Sequence, residues 1–202
     1  MNPLILKHLS KDPILQELIS KTPELKPRSA QPSVYEALLR SINFQQLSGK
    51  SASAIHGRFL ELFPNQYPEP KSIIDTPQEI LKSAGLSRQK LGYIQNVAHF
   101  FIDKNLMNHD WQKETDETII KQLTKIKGVG QWTVEMILMF TLKRPDVLPL
   151  DDLVVKNGMI ELYSVREKGR ALNKKLLEIA EPWRPYRTTA SRYLWQWKDA
   201  VI

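Results

Sequence analysis

The chain has 202 residues, enough for one ordinary domain or two small lobes sharing a core. Its 42% hydrophobic and 25% charged content places it among globular chains, and 29 Lys+Arg against 22 Asp+Glu leave a net charge of +7, which points to a polyanionic partner. Cysteine is absent, which excludes disulfides, Cys-ligated zinc, Cys-ligated iron–sulfur clusters and a thiol nucleophile.

The four histidines (His8, His56, His99 and His109) include no pair at the i,i+4 spacing of a helical metal site, so no structural transition metal is expected. The start, MNPLILKHLS, has an apolar patch but not the longer apolar core and small-residue cleavage site of a secretory leader. The longest uninterrupted apolar run, Met136 to Phe140, falls far short of the ~20 residues that span a bilayer. A soluble protein without membrane association is expected.

In chain order, the first 30 residues carry four prolines (3, 13, 23 and 27) and are expected to hold short helices or a wrapping arm at most. Ser33 and Glu36 have capping-box spacing, and apolar residues at 34, 35, 38, 39 and 42 predict a helix over Val34 to Phe44. Ile55, Phe59, Leu62 and Phe63 keep the same period, and the proline-rich FPNQYPEPK at 63–71 reads as a loop. Thr76 and Glu79 repeat the capping-box spacing, with Pro77 at the first helical position. Ser87 and Thr115 are N-cap candidates for helices carrying Leu91, Ile94, Val97, Ala98 and Phe101, and then Ile119, Ile120, Leu123 and Ile126. Further helices are predicted from about Gln131 to Leu142, Asp152 to Leu162, Gly169 to Ala180 and Tyr186 to Trp197, with KRPDVLPL at 143–150 as a stiff, extended connection. Strand patterns and 20–50-residue repeats are missing, so the reading is all-α with ten or so short helices.

The informative stretch runs from Leu123 to Val134. One helix ends at Ile126, another begins after Gly130, and Gly128-Val129-Gly130 between them suits a tight hairpin. Two glycines permit φ > 0 and a close backbone approach, and the N–H groups opening the second helix make a seat for a phosphate beside Lys125 and Lys127. Val129 is expected to tuck into the seam. Taken alone, the glycines favour a plain αα turn, since Gly-x-Gly turns are common. Beyond the proline-stiffened loop stand Asp151 and Asp152 at the start of a helix; one is a natural N-cap, and two exceed what capping requires.

The segments IKGVGQWT (126–133) and DVLPLDD (146–152), with LRSINFQQLSGK (39–50) and EPWRPYRTTASRYLW (181–195), resemble the helix-hairpin-helix glycosylases of base-excision repair. The DNA-3-methyladenine glycosylase II type is the nearest branch, in a compact form without its N-terminal β-rich lobe. The resemblance covers roughly 35 to 197. It implies an all-α, two-lobed helical bundle, a single glycosylase domain over 1–202 with the hairpin at about 119–142, and an active-site cleft between the lobes. It implies a monofunctional enzyme that hydrolyses the N-glycosidic bond of alkylated purines in double-stranded DNA.

By this resemblance Asp152 is the catalytic carboxylate and Asp151 the cap. An anion beside C1′ stabilises the positive charge that builds on the sugar, and it can orient the attacking water. Trp132 occupies the position where bifunctional relatives carry the Schiff-base lysine, so no lyase activity is expected. Trp132 and Trp195 match positions near the base pocket, with Tyr193 and Tyr186 as lesser candidates; core packing is the reading preferred for Trp183 and Trp197. Met136 stands where the longer bacterial enzyme has an aromatic residue. Gln46 and Leu47 match the wedge that fills the hole left by a flipped base, though Leu47 reads equally as a buried turn leucine. Lys127, Gly128, Val129, Gly130 and Thr133 would contact DNA, whereas Lys50, His56 and Arg58 read as a solvated helix face.

No cofactor is implied beyond a structural Na+ or K+ on hairpin backbone carbonyls between Thr124 and Val129, with no metal held by side chains. The expected partner is double-stranded DNA with a damaged base, the expected state a monomer, and the expected location the cytoplasm and nucleoid of a bacterium or otherwise a nucleus. Competing readings are a glycosylase for hypoxanthine or an ethenoadduct, a non-catalytic DNA-damage-binding protein, and a helical protein–protein scaffold.

Overall fold

A computed structural model describes residues 2–25 and 33–201 of the chain. All regular elements among these residues are helical. They are α1 (Pro3–Leu9), α2 (Pro13–Lys21), α3 (Val34–Phe44), α4 (Gly49–Glu61), α5 (Pro70–Asp75) and α6 (Gln78–Ser83). There follow α7 (Arg88–Asp103), α8 (Asp116–Leu123), α9 (Gln131–Phe140), α10 (Leu153–Leu162), α11 (Gly169–Ala180) and α12 (Arg187–Val201), with three short 3₁₀ turns. The chain divides into two compact units: an inserted one, Ala30–Ile137, and a split one made of Met1–Ser29 and Leu138–Ile202.

The inserted unit is built around α3 and α7. The capping box forms as expected: Glu36 N–H donates to Ser33 Oγ at 3.3 Å, and Ser33 N–H donates to Glu36 Oε2 at 2.9 Å. The apolar stripe of α3 (Tyr35, Leu38, Leu39, Ile42) is fully buried, as is that of α7 (Leu91, Ile94, Val97, Ala98, Phe101). The two helices pack on one another, and α5 lies against α7. Burial of each large side chain stabilises the unit by about 1.5–3 kcal/mol. Tyr35 stacks at a tilt on Phe101 with ring centroids 5.1 Å apart and donates its hydroxyl to Pro68 O at 2.8 Å.

The split unit draws its core from both stretches. Leu9, Leu15 and Leu18 of the first pack with Val155, Met159, Leu176, Trp183, Tyr193 and Leu194 of the second. Asp12 joins them: its Oδ1 caps α2 by accepting the amides of Ile14 and Leu15, while its Oδ2 accepts Tyr163 Oη at 2.7 Å and Trp183 Nε1 at 3.0 Å. Within residues 2–25 the proline-rich start therefore forms two short helices, each with a proline in its first turn, while Pro27 lies outside the described residues.

Several expectations change. Thr76 does not form a capping box; it terminates α5, its hydroxyl donating to Ser72 O at 2.6 Å, and Pro77 becomes the N-cap of α6, which starts at Gln78. The predicted 63–71 loop is shorter, because Pro64–Gln66 turns as 3₁₀ and Pro70 opens α5. Helix α8 stops at Leu123 instead of Ile126, with Ile126 still buried in the turn that follows. The 143–150 connection is free of helix, as expected.

Candidate active site

The proline-containing connection ends on Asp152, which is the N-cap of α10. Its Oδ1 accepts the amides of Val154 at 3.0 Å and Val155 at 2.9 Å, and also the indole N–H of Trp195 at 2.8 Å. The carboxylate is largely buried, and three donors on one oxygen fix its orientation. The cap is thus Asp152 itself, and Asp151, expected in that role, is exposed one residue earlier. Trp195 is partly exposed and lies 5.6 Å from the Phe140 ring at a tilt of 36°.

The approach to Asp152 is clamped. Asp146 accepts from Arg187 Nε at 2.7 Å and from Arg184 Nη1 at 2.6 Å, while Arg187 Nη2 also donates to Asp146 O at 2.9 Å. Next to them Thr188 donates to Arg144 O at 2.7 Å and accepts Val147 N–H at 3.0 Å. The segment 144–147 is thereby held against the start of α12. Tyr193, a lesser pocket candidate, is buried in the split-unit core. Trp183 and Trp197 are core residues, as expected.

The hairpin lies in the inserted unit. Gly128 has φ +104° and sits on the Tyr93 ring: a Cβ there would lie 2.2 Å from Tyr93 Cγ, so only glycine fits. Gly130 is different. It has no left-handed φ, and a Cβ added to it meets nothing within 4 Å. Of the two glycines, Gly128 alone uses the φ > 0 that both permit. Val129 is buried in the seam, as expected, which leaves only its backbone for a ligand. Thr133 is buried too, since it points to the core side of α9, and its side chain does not reach the surface. Lys125 and Lys127 are exposed beside the turn. The Lys127 carbonyl accepts Asn96 Nδ2 at 3.1 Å and the Gly128 carbonyl accepts Gln45 Nε2 at 3.1 Å.

Between α3 and α4 the chain projects outward. Gln46 is exposed with φ +57°, and Leu47 is 40% exposed, so the buried-leucine alternative is discarded. His56, read from sequence as part of a solvated face, packs inward. Its Nδ1 lies 2.8 Å from Asn43 Nδ2, and its ring lies between Phe44 and Phe59. Burial first, and the Arg40 guanidinium second, lower its pKa from 6.5 to about 4. Arg58 donates Nε to Ala84 O at 3.0 Å. Trp132 is 43% exposed on the first turn of α9, and Met136 lies partly buried one turn on, the i,i+4 neighbour on that face. Trp132 and Met136 belong to the inserted unit, Asp152 and Trp195 to the split one. Among the described residues no group of three or more His, Asp and Glu is placed to hold a metal ion, and no helix is long and apolar enough to cross a membrane.

The chain thus combines an all-helical fold, a glycine hairpin and, further along, a helix-capping aspartate bonded to an indole. Residues 39–185 match the HhH-GPD superfamily of base excision DNA repair proteins, and the chain belongs to it. It is 37% identical over 164 residues to DNA-3-methyladenine glycosylase 1 of Schizosaccharomyces pombe, covering 80% of this chain and 71% of the relative. Among solved structures, an S. pombe 3-methyladenine DNA glycosylase in complex with abasic DNA superposes with a TM-score of 0.78 at 33% identity, over 98% of this chain and 97% of that one. A DNA-3-methyladenine glycosidase of Bacillus halodurans gives 0.81 at 34% identity, over 96% and 88%.

Proposed function

We propose that this protein is a monofunctional DNA glycosylase that hydrolyses the N-glycosidic bond of alkylated purines, of the 3-methyladenine and 7-methylguanine type, in duplex DNA. The observation that carries this reading is the bond from Trp195 to Asp152 at the head of α10. It leaves a buried anion in a fixed orientation, suited to stabilise an oxocarbenium-like sugar and to orient a water toward C1′. An alkylated purine is already cationic and departs readily, so the enzyme needs a pocket that prefers it. Exposed Trp132 and partly exposed Trp195 offer ring faces for stacking and cation–π attraction of about 0.5–2 kcal/mol.

Trp132 also bears on the outcome. An indole cannot form a Schiff base, so the product is an abasic site with an intact strand. Val129 N–H is spent on Ile126 O at 3.0 Å, so DNA is gripped by the Gly130 amide and those opening α9, where Gly130 leaves open space for a phosphate. Gln46 and Leu47 enter the duplex as the base leaves it. A Na+ or K+ on this hairpin would be held by backbone carbonyls between Thr124 and Val129. The protein acts as a monomer on damaged double-stranded DNA, in the nucleoid or nucleus.

The test is base release from methylated duplex DNA by wild type and Asp152→Asn, scored as free base and as strand breaks with and without hot alkali. Release by wild type alone, with breaks only after alkali, supports the reading. Undiminished release by Asp152→Asn, or breaks without alkali, would overturn the assigned chemistry. Binding without release by wild type would favour a damage-binding protein.

A further inference from the structure

We infer that Gln45 is a positioning residue that couples the projecting Gln46–Leu47 loop to the phosphate-gripping hairpin, so that the force opening a base pair is borne by the grip on the backbone. The inference rests on the glycosylase reading above and adds a part that reading does not contain.

Gln45 is the C-cap of α3, and its own amide is spent on Ile42 O. Its side chain reaches across 83 positions of sequence to donate Nε2 to Gly128 O at 3.1 Å. That carbonyl belongs to the most constrained residue of the hairpin, held at φ +104° on the face of Tyr93. The anchor therefore joins a turn that cannot shift to a residue directly preceding the two that project. Gln46, at φ +57°, carries the chain away from the anchor, and Leu47 stands out beyond it. A second strut braces the same corner from α7, where Lys90 Nζ donates to Asn43 O at 2.9 Å.

The mechanical consequence follows from elementary energetics. Opening a stacked, paired base costs a few kcal/mol, and a wedge resists that cost only if its loop does not recoil. A loop on a free turn would yield. Tied through Gln45, it transmits the load to amides that hold the phosphates. Gln45 thus acts on opening, not on bond cleavage, and its contribution scales with how strongly the lesion is paired.

The experiment compares single-turnover excision of 7-methylguanine opposite cytosine with excision of the same lesion opposite an abasic analogue, where no pair has to be broken. Gln45→Met keeps the length and removes the donors, and Gln45→Lys restores a donor; should the methionine variant not fold, Gln45→Glu takes its place. The ratio of paired to unpaired rates is expected to fall about tenfold in Gln45→Met, as loss of one hydrogen bond implies, and to recover in Gln45→Lys. A purely structural role would slow both duplexes alike. An unchanged ratio, or one not recovered by lysine, overturns the coupling. Absence of release by wild type from both duplexes would instead overturn the glycosylase reading on which it rests.

Discussion

Trp195 donates its indole N–H to the same oxygen of Asp152 that caps α10. A single carboxylate oxygen thus ties the start of one helix to the body of another, 43 residues further along the chain. Capping and the proposed chemistry draw on one group, and substitution separates them.

Asparagine at 152 keeps an oxygen for the two amides and for Trp195 while losing the charge, and asparagine is as good an N-cap as aspartate. Asp152→Asn is expected to melt within a few degrees of wild type and to lose about 10²–10³ in the single-turnover rate of base release. Trp195→Phe, which removes one donor from the carboxylate, is expected to cost about 1 kcal/mol of stability and to slow release about tenfold. Thermal melts beside rate measurements distinguish the two effects.

The hairpin glycines are expected to fail in different ways. Gly128→Ala must push a methyl group into the Tyr93 ring at a left-handed φ, and urea denaturation should show a loss of about 3 kcal/mol. Gly130→Ala meets open space and should leave stability within ~0.5 kcal/mol. Its effect should fall on affinity for duplex DNA, read as a rise in Kd at fixed salt. Unaltered binding by Gly130→Ala would reduce this glycine to a plain turn residue.

Asp146→Asn disrupts a carboxylate shared by Arg184 and the largely buried Arg187. Loss of the charge on the partly buried side is expected to cost about 2 kcal/mol in urea denaturation. Because the segment 144–147 leads to Asp152, the rate of base release should fall with it while Kd for DNA changes little.

His56 imposes a pH dependence on the inserted unit. Its pKa is about 4 in the folded protein against 6.5 for an unperturbed imidazole, so the unfolded chain binds a proton that the folded one refuses. The stability it contributes is complete above pH 6.5 and is lost as pH falls from there towards 4, by about 2 kcal/mol for a partly buried ring. Denaturation curves at pH 7 and pH 5 should draw closer in His56→Gln than in wild type.

Legibility in the sequence followed the range of the forces involved. Local signals were readable: the capping box at Ser33, the apolar stripes of α3 and α7, the hairpin glycines and the proline-stiffened segment before Asp152. The Thr76 signal misled because its hydroxyl turned back to the preceding helix, a choice between two equally local bonds. Bonds between distant residues left no periodic trace. The reach of Gln45 to Gly128, the shared Asp146 and the inward turn of His56 depend on which helix faces come to lie together. The carboxylate of Asp146 in a proline-bounded segment, and two arginines within PWRPYR, were visible as residues but not as partners.

The split unit takes its first two helices from a stretch that leaves the ribosome long before the residues that cover them. Leu9, Leu15 and Leu18 have no Trp183, Tyr193 or Leu194 to meet until nearly the whole chain is made, whereas Ala30–Ile137 holds all its own partners in sequence. At ordinary elongation rates that exposure lasts on the order of ten seconds. The nascent chain thus passes through an interval in which a finished inserted unit trails two sticky, orphaned helices. The order of synthesis alone leaves the apolar faces of α1 and α2 uncovered until the last helices of the split unit emerge.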